Sequence, residues 1–93
     1  MADSTQQGAL PEITFSTFVL SLASSALVNL GEVPNPATGE TSADPLMAKH
    51  TIDTLSMLEE KTRKGLTGDE KGLLDSVLYE LKMKYVCLCD KSR

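Results

Sequence analysis

Ninety-three residues make one small domain, and a fold of that size buries only about 60% of the surface its unfolded chain exposes. Nine basic against thirteen acidic residues leave a net charge of −4. That balance excludes the basic face that phosphates demand of a nucleic-acid binder, and the Lys/Arg-rich polar face of a helix held on anionic lipid. Residues 1–12 carry no positive charge ahead of the first apolar run, so they do not read as a secretory signal. The two cysteines, Cys87 and Cys89, stand one residue apart, too close for an ordinary disulfide, and fit a reducing cytosol.

Residues 1–11 are small, polar and unpatterned and read as a disordered tail. From Ile13 to Leu30 the chain has eighteen residues without a charge, eleven of them apolar. Wound at about 100° per residue, Phe15, Phe18, Val19, Leu20, Leu22, Ala23, Ala26, Leu27 and Leu30 cover roughly 200° of a helix, twice the usual stripe. Such a helix must be covered from more than one side. Thr14 is its N-cap, Ile13 and Phe18 are placed for a hydrophobic staple, and Gly31 for a left-handed C-terminal cap. The remaining strip of Thr17, Ser21, Ser24 and Ser25 lacks charge and is a candidate for partial cover. A membrane span fits this stretch poorly. It reaches about 27 Å against a hydrocarbon core of ~30 Å, and carries seven Ser, Thr or Asn residues and no flanking Lys or Arg.

Residues 31–43, GEVPNPATGETSA, are a turn-rich loop, long for a helix–helix connection. Two readings stand: a ligand-binding loop using Asn35, Thr38 and Thr41, or a tether that lets the second helix start far from where the first ends. The second helix opens at Asp44-Pro45 and is expected to run to Lys64, with Lys61, Arg63 and Lys64 opposing the helix dipole and Gly65 ending it. Its core stripe is Met47, Ala48, Thr51, Ile52, Leu55, Leu58 and Thr62, and Leu66 can fold back over its last turn. Leu46, His50 and Met57 form a second line. Thr67-Gly-Asp-Glu70 is a capping box directly after Gly65-Leu66, which forces an antiparallel hairpin. The third helix places Leu73, Leu74, Val77, Leu78, Leu81 and Tyr85 inward, and Tyr79, Met83 and Val86 on the opposite side.

Motifs with chemistry are few. His50, with Asp53 and Thr54 nearby on its helix, has the makings of a general base, but no Ser or Cys nucleophile is assigned to it. The Cys87-x-Cys89 spacing suits a soft metal, yet only His50 and Asp90 remain to complete a site. No phosphate loop, dinucleotide fingerprint or zinc-protease motif occurs. No catalytic, cofactor or metal site is therefore expected, and no enzyme. The mixed charges of Glu59 to Lys64 mark a solvated face.

The stretches ITFSTFVLSLASSALVNLGEVPNPATGE, TIDTLSMLEEKTRKGLT and LLDSVLYELKMKYV resemble the small bacterial proteins of domain-of-unknown-function family 1844, over about residues 12–86. The resemblance implies a bacterial cytosolic source and a compact helical domain, and supplies no activity and no catalytic residues. The expected architecture is all-α: a three-helix bundle over residues 12–88, with a frayed end at 89–93, assembled as an oligomer. A self-association surface is expected from Phe18, Leu20, Leu27, Leu46, Met57, Tyr79, Met83 and Val86. The expected function is a non-enzymatic cytoplasmic interaction module, its partner itself or another protein. The alternative is a ligand-binding or catalytic protein using the 31–43 loop and His50.

Overall fold

The structure, a computed structural model, describes residues 12–91; the tail expected over 1–11 lies outside them. Three helices, α1 (Phe15–Asn29), α2 (Pro45–Lys61) and α3 (Gly68–Lys91), pack each against the other two. No strand occurs among the described residues. The fold is the three-helix domain expected from the apolar periodicities.

Each helix start is made by local hydrogen bonds. At α1 the cap is reciprocal between two threonines: the Thr17 N–H donates to Thr14 Oγ1 at 3.0 Å and the Thr14 N–H to Thr17 Oγ1 at 2.9 Å. The expected staple is not made, since Ile13 is 91% exposed; the hydroxyls do the capping instead. Asp44 accepts from the Met47 N–H at 3.2 Å with Pro45 behind it. The capping box at α3 is formed in both directions, Thr67 N–H to Glu70 Oε1 at 3.0 Å and Glu70 N–H to Thr67 Oγ1 at 3.2 Å.

The end of α1 is a Schellman turn. Glu32 N–H donates to Leu27 C=O and Gly31 N–H to Val28 C=O, both at 3.0 Å, with Gly31 at φ +78°. The tether reading of the 31–43 loop is overturned here. Leu30 and Ala43 pair as an antiparallel bridge, and the Asp44 N–H donates to the Asn29 C=O at 2.7 Å. Helix α2 therefore starts where α1 stops, and the loop between them is closed on itself. Beyond Asn35 it forms a compact turn, in which Asn35 N–H reaches Glu40 C=O at 2.8 Å and the Asn35 side chain accepts from Ala37 N–H.

Helix α2 stops at Lys61, three residues before the expected end. Thr62 is its cap, and a turn over 62–65 replaces the last helical turn. Leu66 packs against the core as expected. Helix α3 continues to Lys91, so helical backbone occupies 89–91, which the sequence reading assigns to a frayed end. Because α2 begins at the end of α1, and Lys84 near the end of α3 reaches Glu32 at 3.3 Å, the helices run up, down and up.

The core is built from Val19, Ala23, Ala26 and Leu30 of α1 and its cap, Ala48, Ile52 and Leu55 of α2, and Leu74, Leu78 and Leu81 of α3. Met47, expected in the α2 stripe, is 47% exposed and lies at its edge. Among the described residues Thr51 is the buried polar one, and its hydroxyl donates to Met47 C=O at 3.1 Å.

Leu55 is fully buried, so Leu55→Ala should cost about 2–5 kcal/mol in urea denaturation. Gly31→Ala meets only ordinary contact with Ala43 at 3.5 Å, so its loss of about 1–2 kcal/mol should come from the left-handed backbone alone.

Candidate functional site

The side of α3 turned away from the core carries a continuous line of exposed apolar residues. Leu74, Leu78 and Leu81 point inward, and Tyr79, Met83 and Val86 lie about 140° round the helix from them. Their spacing of four and three residues lines them up over roughly 10 Å, and they are 69%, 51% and 57% exposed. Two shallow grooves run along this line. One, of about 640 Å³, is walled by Tyr79, Met83 and Cys87, with Glu32, Glu80, Lys84 and Lys91 along its edge. The other, about 380 Å³, lies between Tyr79, Lys82, Met83, Val86 and Cys87. Lys84 fixes one rim by pairing with Glu32 at 3.3 Å and Glu80 at 4.0 Å.

On the flank facing α2, Tyr85 sits beside Cys89 and near the Lys49–Asp53 pair, itself 2.8 Å apart. A hydrogen bond with Cys89 and then burial push the Tyr85 phenol above its ordinary value. The Asp53 carboxylate, by hydrogen bond and charge, holds the Lys49 ammonium above its own. Glu59 does the same for the Arg63 guanidinium at 3.2 Å.

The eight residues expected to form one association surface do not lie together. Leu27 is half-buried and packed on the core. Phe18 and Leu20 are 46% and 48% exposed, but two positions on a helix are about 160° apart, so they occupy opposite edges of α1. Leu46 and Met57 are exposed on the outward line of α2, beside His50. Tyr79, Met83 and Val86 remain as a contiguous set. Gly72, Ser76 and Lys82, unremarked in the sequence pattern, and Cys87, read there only as a metal ligand, belong to the same side of α3 and follow from extending the same spacing in both directions. The Thr17, Ser21, Ser24 and Ser25 strip faces outward, with only Thr17 partly covered.

The alternative site is not drawn together. His50 is exposed and lines neither α3 groove, nor the depression of about 280 Å³ at Asn35, nor the cleft of about 300 Å³ at Thr41. The Asn35 carboxamide is engaged by Ala37 N–H, and the Thr38 hydroxyl by Glu40 N–H at 3.2 Å. Cys87 and Cys89, on a continuous helix, project about 160° apart, Cys87 exposed and Cys89 half-buried. Among the described residues no three His, Cys, Asp or Glu side chains gather into a metal-ligand set.

These features define an all-α, up-down-up three-helix domain with an apolar outer face on its longest helix. A family model, Domain of unknown function (DUF1844), matches residues 12–87, and the chain belongs to that family. No curated protein and no solved structure matches it. No helix among the described residues is long and apolar enough to cross a membrane.

In a Tyr79→Phe background, absorbance titration should place the Tyr85 phenol above the ordinary tyrosine value. Cys89→Ala should move that midpoint down; an unmoved midpoint would remove the thiol as the cause.

Proposed function

We propose that the chain is a non-enzymatic cytoplasmic interaction module that docks with a second copy of itself through the outward face of α3. The observation that carries this is the line of Tyr79, Met83 and Val86, each more than half exposed. Single exposed apolar residues are ordinary, whereas a contiguous strip marks a contact surface. The small core supports the same reading, because a domain of this size gains proportionally from association. The free thiols of Cys87 and Cys89 fit a reducing compartment. The ligand-binding or catalytic alternative through the 31–43 loop and His50 has less support, since the Asn35 carboxamide oxygen and the Thr38 hydroxyl are engaged by the loop's own turn and His50 lines neither hollow beside it.

Mass action gives the test. Light scattering should return a multiple of the 10.0 kDa chain mass, and the melting temperature should rise with protein concentration. Met83→Glu keeps a good helix former on an exposed site. It should give a monomer with helical content unchanged and a melting temperature independent of concentration. A wild-type chain that stays monomeric up to millimolar concentration would refute the proposal.

A further inference from the structure

We infer that two copies pair antiparallel along α3 about a two-fold axis near Tyr79, in a register set by Gly72 and by a crossed pair of Lys82 with Asp75. The inference rests on the self-association reading above and specifies its geometry.

Three observations on α3 converge on one register. In a two-fold antiparallel helix pair, residues face each other when their numbers add to a constant, and each flank of one helix meets the same flank of the other. Asp75 and Lys82 share a flank, about 20° apart round the helix at the edge of the apolar line. A constant of about 157 brings Lys82 of each copy opposite Asp75 of the other, so that two ion pairs form at once. At the same register Tyr79 meets Tyr79 at the axis, and Val86 lies over Gly72 of the second copy. Met83 comes beside Ser76.

Gly72 continues the outward line two turns before Tyr79, and a Cβ built there meets nothing within 4 Å. The position is therefore open in the monomer, and without a side chain there an apposed valine can approach the backbone. Charge points the same way. Among the described residues Lys82 has no ion pair, while the Lys71–Asp75 pair at 3.1 Å leaves Asp75 49% exposed. A surface pair of that kind contributes little, so Asp75 is open to a second cation. Shifting the register by one helical turn either way leaves Lys82 without a facing acid on its flank.

Charge reversal with mixing tests this. In a homodimer of the Lys82→Glu variant a new carboxylate faces Asp75 at both crossings. In a homodimer of the Asp75→Lys variant a new ammonium faces Lys82 at both. Each variant should dimerise about tenfold more weakly than wild type in sedimentation equilibrium. An equimolar mixture should recover wild-type affinity, because in the heterodimer one crossing joins the two introduced charges and the other joins the two native ones, and both are attractive. Gly72→Leu, whose Cβ meets nothing in the monomer, should keep full helical ellipticity and lose association. The register is overturned if either single variant associates as tightly as wild type, if the mixture is no tighter than its components, or if Gly72→Leu still dimerises. In those cases wild-type dimerisation would stand and only the geometry would fall. A monomeric wild type would remove both.

Discussion

The junction at which α1 ends and α2 begins governs the fold. Leu30 pairs with Ala43, and the Asp44 N–H closes onto Asn29 C=O at 2.7 Å. That bond satisfies one of the carbonyls a helix leaves open at its C-terminus, using a donor next to the start of the following helix. It fixes the height of α2 against α1, so Ala48, Ile52 and Leu55 meet Val19, Ala23, Ala26 and Leu30 in one cluster. Gly31 makes the turn possible by taking a left-handed backbone. The loop that follows is long in residues and short in span, and residues 35–40 within it close into a turn of their own.

Alanines decide how the helices then pack. Ala23, Ala26 and Ala48 are all buried, and small side chains at a contact let helix axes approach closely. The apolar breadth of α1 is absorbed on both sides, by α2 and by α3. What is left of it, Phe18 and Leu20, falls on two separate edges. The cap residues also act within this frame: with hydroxyls closing α1 through Thr14 and Thr17, no apolar clasp from Ile13 is needed.

Much of this was legible in the residues. The caps Thr14, Asp44 and Thr67, the Schellman glycine and the inward faces of α2 and α3 follow from local hydrogen-bonding chemistry and from the 3.6-residue repeat. Two things were not legible, and for the same reason. That the 31–43 loop closes on itself depends on a backbone bond between Asn29 and Asp44, and backbone bonds leave no trace in side-chain pattern. That Leu27 packs inward while Leu20 stays exposed depends on where α2 and α3 sit around α1, which periodicity within α1 cannot state. The early stop of α2 at Lys61 has a simpler cause: Thr62 bonds its own Leu58 carbonyl at 2.6 Å, a local competition with the helix that Ser and Thr side chains offer.

The same geometry moves the exposed apolar surface from one helix to another. On sequence grounds the uncharged α1 was the surface that required cover. Once α2 and α3 flank it, the exposed apolar residues of α1 fall on separate edges, and among the described residues the exposed apolar line lies on α3, at Tyr79, Met83 and Val86. Helix α3 is also the longest, at 24 residues against 15 and 17, so it offers length beyond what its neighbours can cover. A glycine inside such a helix costs about 1 kcal/mol relative to alanine, and Gly72 meets no neighbour that would require the absence of a side chain. Within the monomer that cost has no return. In the proposed pairing with a second α3 the missing side chain has a use, since the valine of the antiparallel copy would rest against the Gly72 backbone.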